Sequence, residues 1–462
     1  MLIRSILVVG LGAIILADPV AAQHPSQRSP WGSTALETPF RKDISAAEKV
    51  AGLAKVWSEV RFNFSNFDLV PDLDWDSLFL AFIPRVEATN STLDYYRTLR
   101  EFTARIEDGH TRIILPPELA DMEAGRAPLQ TRLTEGRVIV HHVYTDSLPE
   151  LDSLAIQPGM EVIAVDGIPV MEYVAERVAP FHGSNTPQGR DRYLYEYALL
   201  RGPVGVPVAL TLRDGNGVER SVSVPRLRRI PGSPSLVEFK DLGDGLGYIS
   251  IRSFGWDEVL AAVDSLFGAI QETDALIIDL RENGGGDGRI GWTILGYFTD
   301  SPLTYQQWFS REYRPIWRAW GRPERVYRES PGTWPADGTR FYSKPVAILT
   351  RSRTASMAEN FCVGFRIMNR GLIIGEATAG SSGTPLFFTL PGGGRGQVVT
   401  TRGQYPDGRE YIGVGVAPDI ELTPTIEDVR GGRDPVLDRA TKELSQLIER
   451  ATPGTRGRSG AG

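Results

Sequence analysis

The stretch 345-PVAILTRSRTASMAENFCVGF-365 carries the reading of the fold. It opens on an apolar run, 345-PVAILT-350, with no polar alternation, the pattern of a strand buried on both faces. A polar loop of serines, threonines and arginines follows, and from about Ala355 the apolar residues take helical spacing. Strand, loop and helix in that order are the repeating unit of an α/β layer. The hydroxyls at the junction have two readings. Ser and Thr are among the commonest N-caps, so Thr354 or Ser356 can simply cap the helix. A hydroxyl in a first turn also sits beside unpaired N–H groups and the positive end of the helix dipole, where it can attack a carbonyl and have the oxyanion held. Position alone does not choose between them. Ser352 reads as a loop residue. Cys362, two turns into the helix, reads as a buried thiol.

The same texture extends on both sides. The runs 246-LGYISI-251, 275-ALIIDL-280 and 372-LIIG-375 are again short and apolar, and they alternate with helical stretches at about 256–271, 355–369 and 434–450. The expectation is an α/β core over 228–450. Directly after one strand comes 279-DLRENGGGDG-288. Three glycines there expose backbone N–H groups and permit positive φ. Such amides can hold an oxyanion or a phosphate, or the run is only a flexible turn. No Lys-Ser/Thr pair follows, so it is not a P-loop.

Upstream, residues 125–227 are β-rich: 137-RVIVHHVY-144, 160-MEVIAVDG-167 and 207-PVALTLRD-214 alternate and end in turn residues. Residues 44–120 are helical, with helices expected over 44–64, 71–86 and 89–109, the last capped by Asn90 or Ser91 and followed by Gly109. At the N-terminus, Arg4, the run 6-ILVVGLGAIILA-17 and the small residues Val20 and Ala22 describe a cleaved signal over 1–22. That run is shorter than the roughly 20 residues a bilayer span takes. No later segment is apolar enough to cross a membrane, so no span is expected after cleavage and the mature chain is expected to be exported, periplasmic or secreted. A flexible leader over 23–43 and a disordered tail over 451–462 complete the division.

The chain has 462 residues, a formal net charge of −7 and one cysteine. The charge argues against nucleic acid as a partner, since that affinity rests on clustered positive charge. One cysteine allows no internal disulfide. There is no His-x-x-x-His or Cys pair, so no metal and no cofactor are expected.

A nucleophilic serine needs a base. Of five histidines, His24 lies in the leader, His141 and His142 in a strand, and His182 in a loop. Only His110, in 107-EDGHTRI-113, follows a helix end in a polar turn, where a lone histidine is ordinarily just solvated. The polar stretch 404-QYPDGREYIGVGVAPDIEL-422 offers Asp407, Glu410 and Asp419, ordinarily solvated, one of which could orient a histidine.

Taken in order, DGHT at 108–111, DLRENGGG at 279–286, TASMAENF at 354–361, IIGEATAG at 373–380 and GVGVAPDI at 413–420 resemble the C-terminal processing peptidase family, the serine peptidases that include the tricorn core. QPGMEVIAVDGIPV at 157–170 resembles the core of that family's PDZ domain. The resemblance spans about 46–420. It implies an N-terminal helical domain, a PDZ-like domain over 125–227 and a ClpP/crotonase-like α/β catalytic core. It also implies an enzyme that cleaves polypeptides, with the PDZ-like domain binding a polypeptide end such as a free C-terminus by strand addition and carboxylate capture.

In the family the nucleophilic serine stands three residues before a glutamate, which selects Ser356 with Glu359. One branch takes a lysine as base, but Ser381 occupies that place here. The tricorn-like branch takes a histidine, matched by His110, together with a serine and a glutamate that orient it. Gly109 stands where that serine precedes the histidine. The commonly acidic place before the last motif is Ile412, which leaves Glu410 as the substitute. Backbone N–H groups of Gly285 and Met357 would hold the oxyanion. Two other readings of the fold remain, a small-ligand or peptide-binding protein and a hydrolase of another ester or amide.

Overall fold

The computed structural model describes residues 33, 35–144, 148–232 and 234–451. The expected signal, the leader before residue 33 and the tail beyond residue 451 lie outside the described residues.

The core is a six-stranded sheet whose order runs Ile420–Glu421, Gly371–Gly375, Val346–Thr350, Ala275–Asp279, Leu246–Ile251, Val237–Asp241. All neighbours are parallel except the last pair, which is antiparallel at the edge. Successive side chains of a strand point to opposite faces, and both faces are covered. Leu276, Ile278, Ile348 and Ile373 pack with residues of the helices Asp257–Gln271, Gly288–Leu295 and Met357–Ile367. Ala275, Ile277, Ala347, Leu349 and Ile374 pack instead with Val436, Ala440 and Leu444 of the helix Pro435–Ala451. This two-sided burial is why the strands read as unbroken apolar runs.

Three helices precede the sheets: Ala46–Asn63, Trp75–Glu87 and Thr92–Ala104. Ser45, Asp74 and Ser91 cap them, each side chain accepting an N–H of the first turn. Their apolar faces close over Phe388, Leu390, Val398 and Val399 from far along the chain. The link is a small sheet in which Arg112–Ile114 pairs antiparallel with Arg395–Val399, Arg112 opposite Gln397. That pairing fixes where the His110 turn lies.

Between these parts, Leu129–Thr134, Arg137–Val143, Glu161–Val165, Val208–Arg213 and Glu219–Val224 form an antiparallel sheet with its own core of Val138, Val140, Val162, Leu210 and Leu212. Asp166 and Gly167 turn this chain at φ 49° and 81°. Two successive positive φ values are what a two-residue hairpin turn demands, and Asp-Gly satisfies them. Arg132 of this sheet pairs with Glu376, and Glu196 with Arg351 at 2.8 Å, so buried ion pairs tie it to the loops leaving the core strands. Among the described residues, no helix is long and apolar enough to cross a membrane.

Candidate active site

Ser356 stands at the junction between the strand Val346–Thr350 and the helix Met357–Ile367, and its backbone is held at φ 55°, ψ −125°. A residue with a Cβ occupies that region only when its surroundings force it. The surroundings here are specific. Thr354 is buried; its hydroxyl donates to the Leu280 carbonyl at 2.9 Å and accepts the Arg351 N–H at 3.2 Å. Ala355 N–H donates to the Asn283 carbonyl at 3.1 Å. Ser356 N–H reaches the Ser381 carbonyl at 2.9 Å and Glu359 Oε2 at 3.1 Å. Thr354 therefore builds the loop, and Ser356 is the hydroxyl left at the turn.

The glycine run lies directly against it. A Cβ on Gly285 would fall 2.6 Å from Ser356 Cβ and 2.8 Å from Met357 N, and Gly285 itself takes φ 98°. The contact expected of this residue is there, but its amide departs from the expectation. Gly285 N–H donates to Asn283 Oδ1 at 2.8 Å, because an asparagine two residues earlier folds back on its own chain. Asn283, fully buried, also donates from Nδ2 to the Ile251 carbonyl at 3.0 Å. The Gly286 N–H and the Met357 N–H have no acceptor among the described residues. Gly285 C=O accepts Phe254 N–H at 2.8 Å, and across a planar trans peptide the Gly286 N–H points the opposite way.

His110 sits in the turn between the helix Thr92–Ala104 and the strand Arg112–Ile114. Asp108 Oδ1 accepts its backbone N–H at 2.8 Å, and Gln397 Nε2 donates to its carbonyl at 2.8 Å. Asn185 in turn donates to Asp108 Oδ2 at 2.7 Å. Nδ1 of the ring lies 2.8 Å from Ser381 Oγ. Desolvation holds the imidazole below its ordinary 6.5, with Arg112 and Arg192 acting in the same sense and Asp108 against it.

Among the described residues, Glu410 makes no hydrogen bond to this ring. One carboxylate oxygen pairs with Arg402 Nε at 3.1 Å and the other accepts from Gln404 Nε2. Residues 404 and 410 face each other as an isolated bridge, so the hairpin geometry turns Glu410 toward its own partner strand. The buried carboxylate of the site is Glu359. Its Oε1 accepts Thr378 Oγ1 and Gly380 N–H, each at 2.6 Å, and its Oε2 accepts Ser381 N–H at 2.9 Å beside that of Ser356. Burial pushes its carboxyl up to about 7 despite those donors. Cys362 is fully buried and burial pushes its thiol well up, leaving it to packing. Among the described residues, no group of three His, Cys, Asp or Glu side chains is placed to hold a metal.

Sequence reasoning singled out Ser356, Met357, Gly285 and His110, and reached Glu359 and Ser381 only as markers of spacing. Asn283 was missed. Its signal was present, an amide side chain immediately before a glycine run, where it can take up one of the freed amides.

Residues 245–422 match the profile of peptidase family S41. The chloroplastic carboxyl-terminal-processing peptidase 2 of Arabidopsis thaliana is 25% identical over 349 residues, covering 73% of this chain and 62% of that protein. The carboxyl-terminal-processing protease of Synechocystis sp. is 23% identical over 346 residues, covering 70% of each. Among solved structures, mature CPAF complexed with lactacystin superposes with a TM-score of 0.68 at 18% identity, covering 88% of this chain and 99% of that one. At that identity the superposition speaks for the fold.

Proposed function

We propose that the chain, whose residues 245–422 match the profile of peptidase family S41, is an exported serine peptidase of that family. It cleaves polypeptides through an acyl-enzyme on Ser356, with His110 as general base. The observation that carries this reading is a single shared residue. The Ser381 carbonyl accepts the Ser356 N–H at 2.9 Å, and the Ser381 hydroxyl meets His110 Nδ1 at 2.8 Å. One residue thus ties the strained serine turn to the turn of His110, 271 positions away from Ser381 in sequence.

The chemistry follows the ordinary course of acyl transfer. His110 Nε2 takes the proton as Ser356 Oγ bonds to the carbonyl carbon. The resulting oxyanion is received by the Met357 N–H and the Gly286 N–H, in place of the Gly285 amide already engaged with Asn283. The C–N bond breaks as His110 returns its proton to the leaving nitrogen. Water, deprotonated by the same ring, then hydrolyses the ester. The antiparallel sheet over 129–224 serves in this reading as a PDZ-like unit that takes a polypeptide end, and the segment over 1–22 directs export.

A fluorophosphonate probe on the full-length chain after export is expected to form one adduct, on the fragment containing Ser356, and the unlabelled enzyme is expected to cleave an unstructured polypeptide. An adduct elsewhere would remove Ser356 as nucleophile. Labelling without cleavage of any polypeptide would favour another ester or amide as substrate, and no labelling would favour a binding protein.

The base adds a pH test. Since His110 must be neutral to accept a proton and its folded value lies below 6.5, kcat/KM is expected to hold at pH 6.5 and to fall only at lower pH. An acid limb centred above 6.5 that persists in Glu359→Gln would mean that the group titrating is not an imidazole held below its ordinary value, and would count against His110 as the base. Gly285→Ala supplies a third test, because the added Cβ must displace Ser356 or Met357 and L-residues resist φ 98°. Acylation is expected to slow about 10²–10³-fold, the cost of losing an oxyanion donor, and an unimpaired variant would show that the glycine run is no part of the site.

A further inference from the structure

We propose that Ser381 is the positioning residue of the base: its Oγ accepts the Nδ1–H of His110 and so fixes the tautomer that leaves a lone pair on Nε2. This rests on the peptidase reading above, and it gives the orienting role to a hydroxyl rather than to a carboxylate.

Several contacts make that hydroxyl a fixed object. Ser381 is 4% exposed. Its N–H is anchored on Glu359 Oε2 at 2.9 Å and its carbonyl on Ser356 N–H at 2.9 Å. The preceding Gly380 takes φ 68°, and a Cβ there would meet Thr186 Cγ2 at 2.5 Å. The backbone of Ser381 is thus set from both sides, and only rotation about its Cα–Cβ bond remains. Oγ lies 2.8 Å from His110 Nδ1, within the range of an N–H···O bond.

The carboxylates nearby are committed elsewhere. Asp108 accepts the His110 backbone N–H and the Asn185 side chain, while Glu359 accepts four donors of the serine loops. Gly109 supplies the complementary observation. A Cβ at that position would stand 2.9 Å from Ser381 Oγ, so the absence of a side chain at 109 is what leaves the hydroxyl its place. The two positions form a pair: one carries the hydroxyl, the other makes room for it. A neutral acceptor also differs from a carboxylate in effect. It selects the tautomer but gives the imidazolium little charge stabilisation, in keeping with an imidazole that desolvation holds below 6.5.

The test uses the full-length chain after export with ¹⁵N-labelled histidine, the His110 signals identified by their absence in His110→Gln. Wild type is expected to show the Nδ1–H tautomer, and Ser381→Ala to move toward Nε2–H. An Nε2–H tautomer in wild type, or an unchanged Nδ1–H in the variant, would overturn the proposal. On a polypeptide substrate, Ser381→Ala is expected to lower kcat about 10–100-fold, the usual reach of a partner acting through another group, with KM within about twofold because no substrate contact is removed. The double variant Gly109→Ser with Ser381→Ala returns a hydroxyl to the vacated space from the opposite side and is expected to recover part of the lost kcat and the Nδ1–H tautomer. A double variant no better than Ser381→Ala on both readouts would count against the proposal. If wild type shows the Nδ1–H tautomer but cleaves no polypeptide, the hydroxyl-held ring stands and the peptidase reading falls.

Discussion

Ser356→Gly is expected to abolish acyl-enzyme formation and at the same time to unfold at a higher urea concentration than wild type. The loss of turnover is the larger number, about 10⁵–10⁶-fold, since removing the nucleophile of a serine hydrolase leaves only the oxyanion donors and binding. The gain in stability comes from the backbone. At φ 55°, ψ −125° a Cβ costs of the order of 1–3 kcal/mol, and glycine relieves it. Glycine also frees the unfolded chain, which takes back about 0.4–1 kcal/mol. As a helix N-cap it costs only a few tenths of a kcal/mol relative to serine. The balance is a gain of about 1 kcal/mol. Ser356→Ala separates the two effects: it loses the hydroxyl but keeps the Cβ, so it should be as inactive as the glycine variant and no more stable than wild type. Equal midpoints for the alanine and glycine variants would mean that the turn stores no strain. The comparison also bears on why a serine stands here. A residue that only capped the helix would have no reason to sit in a conformation that glycine fits better.

The parts of the fold that were legible in the sequence are those fixed by local burial. The strand Leu246–Ile251 matches its expected limits, and Ala275–Asp279 and Val346–Thr350 fall within one residue of theirs, because strands covered on both faces carry no polar positions to confuse the reading. The helix Gly288–Leu295 was not visible. Its two glycines and its place directly after a glycine run look like a loop, and its packing of Ile290 and Ile294 in the core overrides that preference. Pairing between distant segments was legible least of all. The turn of His110 reaches Ser381 only because Arg112–Ile114 joins Arg395–Val399, and nothing in 107-EDGHTRI-113 encodes that register. The family pattern supplied His110, where local reasoning left a solvated turn. The same pattern led to Glu410, chosen for its nearness to Ile412 along the chain. In space the partners of Glu410 are Arg402 and Gln404, set by a hairpin whose cross-strand pairing is not encoded by position along the chain.

Glu359 is where charge and burial compete most directly in this site, and Glu359→Gln decides which prevails. Four donors converge on its carboxyl: the N–H groups of Ser356, Gly380 and Ser381 and the hydroxyl of Thr378. Donors favour the charged form, while full burial opposes it. Burial prevails here and raises the carboxyl from 4.5 to about 7. The protonated form then needs an acceptor, and Thr378 Oγ1 can be one by turning its own proton away, since it already accepts Val416 N–H at 2.7 Å. The sign of the pH effect follows from the raised value. The folded chain keeps this proton when the unfolded chain has released it, so the stabilisation is complete below pH 4.5 and is lost progressively as pH rises to about 7. A shift of that size amounts to the order of 3 kcal/mol. Glutamine has no proton to lose. It offers one acceptor oxygen and sets an NH₂ group against at least one backbone N–H, at about 1–3 kcal/mol for each buried donor left unpaired. The variant is therefore expected to be less stable than wild type at pH 4.5, with the gap narrowing by about 3 kcal/mol toward pH 7 as wild type pays to ionise. Its kcat is expected to fall at every pH, because the N–H groups released include those that anchor Ser356 and Ser381. Urea unfolding of both proteins between pH 4.5 and 8 reads the difference. A gap that widens with pH would mean that the four donors outweigh burial and that the site holds a carboxylate at neutral pH, a fixed negative charge behind the serine turn that would oppose the developing oxyanion on its other side.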